Sequence, residues 1–555
     1  MFESRRHRRL AWTLAFGFIV VSLAVLGIRT LVPPDEGRYA EMAREMLAGG
    51  DWITPRLDGI KYFEKPPLQA WMNALTFALF GLGDWQARLW TGLCGLLGVG
   101  LTGLAGWRVF GARSGVYAAL VLGSSFYWTG WSQVLTLDMG LSAMMALALC
   151  GLLLAQREGA VEAERRDAML ACWAGMALAV LSKGLVGIAL PGAVLAAYSL
   201  AARDRAIWTR LQIRLGLPLF LLIAVPWFVL VALKNPEQPR FFFVHEHVER
   251  FLLKEHHREA PWWFFLALVA LGSLPWLGAL PQALLAARRR AAGRFQPRLL
   301  LLAWVLVILA FFSASSSKLA GYILPVFPAL ALLIGDHLAT ARRGALALNA
   351  ALAAGTGLVL LALAPWLAGR ASAAAPYQAC QPWLIAAGLA ALAGGLLALH
   401  HAARLRQDLA VAALALAGFV ATQLVMAGSE PIGRLRAGAD LLPAMRAALA
   451  PGTQVYSVGI YEQSLTFYLR RPVTLVDYRD EFDFGLRQQP GLALPDIAAF
   501  ARRWQAHTAA GQPALAIVRN DLVGELRRQR LPCRIVAADG RRTVVATPIS
   551  TLVQQ

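Results

Sequence analysis

The stretch "KYFEKPPLQAWMNALTFALFG", residues 61–81, decides the fold, because its apolar part either crosses a membrane or lies on its surface. The choice sets the side on which nearly every later charged loop sits. The apolar part, residues 67–80, is 14 residues long, short of the roughly 20 that a spanning helix needs. Its apolar positions Leu68, Trp71, Met72, Leu75 and Leu79 recur at helical spacing, while Gln69, Asn73 and Thr76 mark another face. Pro66 and Pro67 suit a helix start. The stretch reads as an amphipathic helix lying along a membrane surface.

The flanking sequence gives the same answer by parity. The 555-residue chain is 58% hydrophobic and 15% charged, which is outside the soluble range and indicates a polytopic α-helical membrane protein. A net charge of +20 would suit a nucleic-acid binder. The arginines, however, fall in short blocks between apolar runs, as in cytoplasmic loops, so no nucleic-acid partner is expected. Working back from the inside block at Arg157–Arg166, the run Asp138–Leu154 starts outside, Ser114–Leu135 inside and Trp85–Trp107 outside. No crossing remains for residues 67–80. The basic N-terminal segment reads as a retained first helix with its start inside, not a removed signal peptide. The runs Met169–Leu181, Val186–Leu200, Leu215–Leu233, Trp262–Leu284, Leu299–Ser313, Ala320–Leu338, Ala345–Leu367, Trp383–Leu399 and Leu409–Ala427 complete about 13 spans. Cys94, Cys150 and Cys172 lie in apolar runs, so a disulfide framework is not expected; a bridge between the outer Cys380 and Cys533 has nothing to support it.

After Pro431 the pattern changes. "TQVYSVG", "PVTLVDY" and "PALAIVRND" read as buried strands separated by helical segments, and "CRIVAADGRRTVVATP" as a hairpin around Asp539–Gly540. Such alternation predicts a small outer α/β domain with a largely parallel sheet. The expected division is a membrane domain over 1–430, with outer loops at about 32–84 and 235–261, and an outer domain over 431–555.

With this topology, acids and bases far apart in sequence collect at one membrane face, and none is needed at mid-bilayer, which argues against an ion-coupled transporter. They are the "PPDEGRYAEMAREML" and "KYFEKPP" segments, Asp138 in "TLDMG", Lys183 in "LSKGLVG", the loop "NPEQPRFFFVHEHVERFLLKEHHREAP", and Lys318 in "SASSSKLAGY". Each has a plainer role open to it. Asp35 and Asp138 suit helix N-caps. Lys183 and Lys318 suit snorkelling to lipid phosphates. A zinc-protease HExxH is not present, since position 249 carries Glu249. Glu246 and Arg250 are spaced for an i, i+4 ion pair, and a histidine such as His245 is more often structural than a ligand.

An enzyme joining two anionic lipids needs cations at the membrane surface and few catalytic acids. Breaking a sugar–phosphate bond builds negative charge on the leaving phosphate, which Lys, Arg or a divalent ion stabilises. A carboxylate on the other side orients or deprotonates the attacking oxygen.

The segments "PPDEGRYAEMAREML", "KYFEKPPLQAW", "LTLDMG", "LSKGLVG" and "SSSKLAGYILPVFPALALL" together resemble the bacterial 4-amino-4-deoxy-L-arabinose lipid A transferases, relatives of the protein O-mannosyltransferases in the C-type glycosyltransferase superfamily. The resemblance covers about the first 340 residues, and the outer domain fits the same layout. It implies an inverting transfer of aminoarabinose from undecaprenyl phosphate to lipid A at the periplasmic face of a bacterial inner membrane. By that match Asp35 and Asp138 are the active-site acids, and Lys65 and Arg250 hold the donor phosphate. Lys183, Lys318, Tyr322, Arg38 and Tyr39 line the site, with Tyr322 expected on the helix face of Lys318. Glu64 and His245 would hold a divalent ion, zinc or magnesium; no organic cofactor is expected. A protein or other glycan acceptor, and a flippase or binding protein without chemistry, are the alternative readings.

Overall fold

The computed structural model describes residues 5–243, 245, 260–340, 343–370 and 374–548. Arg250 and Glu246, and with them the expected i, i+4 pair, lie outside the described residues. The chain divides into two compact units. The first holds residues up to Ile28, Glu64–Gln69 and Arg88–Ser429; the second holds Arg29–Phe63, Ala70–Ala87 and the chain from Glu430 onward.

The first unit is helical. Its helices include α1 (Arg5–Ala24), and the chain then runs through α2 (Asp35–Gly49) and α3 (Leu68–Phe80) to α4 (Asp84–Phe110), α5 (Ala112–Ser124), α6 (Phe126–Trp131), α7 (Leu137–Gln156) and α8 (Glu162–Lys183). Among the described residues, eight helices are long and apolar enough to cross a membrane, and three shorter apolar helices accompany them. The chain is a multi-pass membrane protein.

Two runs expected as single spans are each broken. Ser114–Leu135 is split at Ser125, whose backbone is extended between α5 and α6. Trp262–Leu284 is split into Phe264–Gly272 and Leu280–Ala286 around Pro275, which cannot donate to a helix and clashes with the preceding turn. The two breaks are neighbours. The Phe126 N–H donates to the Leu274 carbonyl at 3.0 Å, and the Trp276 indole donates to Ser124 Oγ at 3.0 Å. Each break therefore supplies partners for polar groups that the other leaves without a helical bond, a condition for irregular backbone inside an apolar core.

The second unit is built on a six-stranded sheet. A small ribbon, β1 (Arg56–Leu57) and β2 (Ile60–Lys61), precedes β3 (Gln454–Val458), β4 (Thr474–Val476), β5 (Ala493–Leu494), β6 (Ala514–Arg519), β7 (Arg534–Ala538) and β8 (Arg542–Ala546). The sheet order is β5-β4-β3-β6-β8-β7. The first four are parallel, and β8 and β7 close the sheet as an antiparallel hairpin. The strands expected around Tyr456, Leu475 and Ile517 are those observed.

The compact units do not follow chain order in the first long loop. Residues 29–63 and 70–87, counted in sequence with the membrane domain, belong to the compact unit of the C-terminal sheet. The reason is packing: α2 lies so close to the helix Gln463–Leu469 that a Cβ on Gly37 would sit 2.6 Å from the Gln463 carbonyl carbon. Phe77 of α3 stacks on Phe467 with ring centroids 5.7 Å apart.

α3 itself has 13 residues, about 20 Å at 1.5 Å per residue, short of a bilayer core of about 30 Å. Its polar residues Gln69, Asn73 and Thr76 are buried, while Leu75, Leu79 and Phe80 are exposed. That inverts the usual pattern of a soluble helix and suits one whose outer face meets lipid.

Candidate active site

Asp138 stands in the first turn of α7, whose N-cap is Thr136. Its carboxylate is not a cap: it forms an ion pair with Lys183, the last residue of α8. Both side chains are largely buried, 12% and 15% exposed, so the pair is shielded from the screening that weakens surface ion pairs. The Lys183 ammonium also lies 4.5 Å from the centre of the Tyr322 ring, within cation–π range. Tyr322 in turn meets Phe312 at 5.1 Å.

Tyr322 is placed by a 3-10 helix, Ala320–Val326, rather than by the α-helix expected from Ala320. Pro325 and the tighter winding carry the chain into the α-helix Phe327–Thr340. Lys318 lies before this turn, so the expected shared helix face with Tyr322 is not formed. Its ammonium donates to the Ser315 carbonyl at 2.8 Å. Gly321 faces Asp138 so closely that a Cβ would collide with the carboxylate.

Glu64 and Lys65 belong to the same unit, and the Lys65 ammonium donates to the Glu64 carbonyl at 2.8 Å. The His245 ring stacks on Phe241 at 5.2 Å. A carboxylate and an imidazole are ligand types that zinc accepts, and the two together are one short of the three protein ligands of an open catalytic site.

In the second unit, Asp35 is the first residue of α2 and makes no cap bond; Pro34 holds the N-cap position. The Asp35 carboxylate, 44% exposed, accepts from Arg38 at 3.0 Å. The other arm of Arg38 pairs with Glu481, and Glu481 accepts from Gln463 at 2.9 Å. Burial alone would lower the Arg38 pKa, but Tyr62, Glu481, Tyr39 and Asp35 hold it well above its ordinary value. Tyr39 is buried on the same helix. Glu481 and Gln463 carry no motif and were not expected at the site; only the fold of the C-terminal sheet brings them to α2.

Two arrangements result: an acid–lysine–tyrosine cluster at the ends of α7 and α8, and an exposed acid at the start of α2 steadied by a buried guanidinium. Residues 441–547 match the aminoarabinose transferase C-terminal domain family, and residues 64–230 match the dolichyl-phosphate-mannose-protein mannosyltransferase family. The chain is 33% identical over 497 residues to an undecaprenyl phosphate-α-4-amino-4-deoxy-L-arabinose arabinosyl transferase of Edwardsiella ictaluri, covering 86% of this chain and 87% of that one. The chain belongs to this arabinosyl transferase family. A Pseudomonas aeruginosa transferase of the same name is 37% identical over 373 residues, 65% of each chain. The crystal structure of ArnT from Cupriavidus metallidurans bound to undecaprenyl phosphate superposes with a TM-score of 0.92 at 40% identity, covering 98% of this chain and 99% of that one. The transferase is thus a glycosyltransferase of the C-type, matched over nearly its whole length. All five cysteines are free, so Cys380 and Cys533 are not bridged.

Proposed function

We propose that this chain transfers 4-amino-4-deoxy-L-arabinose from undecaprenyl phosphate to phosphate groups of lipid A at the periplasmic face of the inner membrane. The added amine offsets surface negative charge and so gives resistance to polymyxin and other cationic peptides. The observation that carries this reading is the end-to-end likeness to the Cupriavidus metallidurans structure bound to undecaprenyl phosphate.

In the proposed reaction the bond between the sugar C1 and the donor phosphate oxygen breaks, and its electron pair leaves with undecaprenyl phosphate. A lipid A phosphate oxygen bonds to C1 from the opposite face. That oxygen is already ionised near neutral pH, so no strong base is needed. Asp35, exposed and steadied by Arg38, orients the acceptor or supports the positive charge developing at C1. Lys183, held by Asp138 and Tyr322, offers a fixed cation to the leaving phosphate, with Lys65 and Arg250 on the donor phosphate. Tyr39 and Lys318 are further substrate-binding residues in this reading. Glu64 and His245 would hold a divalent ion, zinc or magnesium, which when bound supplies further stabilisation of phosphate charge.

The test is mass spectrometry of lipid A from a host that makes the aminoarabinose donor but lacks its own transferase. Expression of this chain should add one aminopentose to lipid A, and Asp35→Asn or Lys183→Met should abolish the addition. Unchanged lipid A with well-folded protein in the membrane would overturn the acceptor assignment.

A further inference from the structure

In the second unit a set of acids lies apart from the groups discussed above. Glu41 and Glu45 on α2 and Asp58 in the β1–β2 turn place one carboxylate oxygen each within 4.8 Å of one another. Glu41 and Asp58 are buried, 0% and 7% exposed. The counter-charge at hand is Arg44, which grips Glu41 through two bonds of 2.7 and 2.6 Å. Glu45 accepts the N–H groups of Asp58 and Gly59 at 2.6 and 2.9 Å, and Asp58 Oδ1 accepts that of Val473 at 2.9 Å. Both oxygens of Glu41 and of Glu45 accept a bond and Asp58 uses Oδ1 alone, so each engaged oxygen keeps a second lone pair.

A separate side chain points to what fills the middle. Tyr461, between β3 and the helix Gln463–Leu469, is 4% exposed, and its hydroxyl, near Asp58 and Thr466, has no partner at good hydrogen-bond geometry. That hydroxyl faces Asp58 and Glu41, whose charges act on it. The Oδ2 atom of Asp58 is likewise buried without a partner. Orphaned buried polar atoms of this kind are costly unless an unseen ion or water satisfies them.

We infer that Glu41, Glu45 and Asp58 bind a hard divalent cation of the calcium class, with the Tyr461 hydroxyl bonded to a water of its coordination shell. Three carboxylates against one guanidinium leave two uncompensated negative charges in a buried place, and a divalent cation neutralises both. The ligands are all oxygen, which selects calcium or magnesium over zinc. The three oxygens lie within 4.8 Å of one another, close enough for one ion at calcium–oxygen distances of about 2.4 Å to reach all of them. The cation would join α2, which begins with Asp35, to the β1–β2 turn and the C-terminal sheet.

The experiment uses the full-length protein in detergent, stripped with chelator. Terbium, a luminescent calcium substitute excited through nearby tyrosine, should bind one ion per chain at this site, with calcium displacing it and magnesium displacing it at least about tenfold less well. Calcium should raise the thermal unfolding midpoint by several degrees, as a ligand of the folded state does. Asp58→Asn and Glu45→Gln should each lose the terbium signal and the calcium shift, while unfolding in chelator no earlier than the parent, since each removes an uncompensated charge. Tyr461→Phe should keep the shift but lower the sensitised emission. Glu64→Gln and His245→Ala should leave both readouts intact, which separates this site from the ion proposed for the phosphate. Absence of a saturable calcium shift in the parent protein would overturn the inference, as would a shift that survives Asp58→Asn and Glu45→Gln.

Discussion

The bond between Asp138 and Lys183 differs from an ordinary surface ion pair because water reaches little of either side chain. Removing one partner strands the other charge, at about 3–5 kcal/mol. Lys183→Met and Asp138→Asn should each lower the thermal unfolding midpoint, and the double variant should recover much of that loss. Transfer to lipid A should stay absent in all three, measured by lipid A mass. Recovery of turnover in the double variant would show the pair to be structural only. Gly321→Ala offers a finer probe, since the new methyl would push on the Asp138 carboxylate; overpacking of this kind costs about 1–3 kcal/mol, and donor turnover should fall more than donor binding. Glu481 acts on Asp35 only through Arg38 and is a positioning residue. Glu481→Gln should lower kcat by about tenfold, about 1.4 kcal/mol, with KM for the donor nearly unchanged. A purely structural role would instead reduce the amount of folded protein and leave kcat per folded molecule intact.

At the scale of elements, α2 and α3 show how a long loop becomes part of a domain. α2 is mostly buried through Glu36, Tyr39, Ala40, Glu41, Met42, Ala43 and Met46, and its approach to the helix Gln463–Leu469 requires a residue without a side chain at Gly37. Gly37→Leu should therefore misplace α2 and yield protein that is trypsin-sensitive in this loop, whereas substitution at Gly50, where a Cβ meets nothing, should strain only the turn, whose φ is +67°. α3 sends Leu75, Leu79 and Phe80 outward, with Leu79 65% exposed. Placing charge there, as in Leu75→Glu/Leu79→Glu, should weaken the seating of α3 on lipid. Its expected signature is reduced activity in membranes with the unfolding midpoint in detergent nearly unchanged. If α3 were a protein-covered core helix, the midpoint would drop instead.

For the whole molecule, the consequence is that the C-terminal domain does not end where its sequence pattern ends. Buried positions Gln463, Ser464, Leu465, Thr466, Phe467 and Leu469 are covered in part by α2 and α3. A fragment of residues 431–548 would expose this apolar face to water and should aggregate. The same fragment fused to residues 29–63 should be more soluble, as size-exclusion profiles would report. What sequence alone determined follows from one-dimensional pattern. Helix length and arginine spacing set the membrane class, the 14-residue run after Pro66 was too short to span, and alternating strands and helices set the parallel sheet. The motif segments were enough to name the family and to put Asp35, Asp138, Lys183 and Tyr322 forward as candidates. Tertiary structure alone decided which of these meet. The Asp138–Lys183 pair, the Arg38–Glu481 clasp and the junction of Glu41, Glu45, Asp58 and Tyr461 join residues separated by up to about 440 positions. Such contacts depend on how folded elements pack, and a periodicity confined to each element carries no record of its neighbour. The two broken spans were missed for the same reason: in an apolar run a helix break is tolerated only when another segment supplies the lost hydrogen bond, and here Phe126 and Leu274 supply it to each other across the fold.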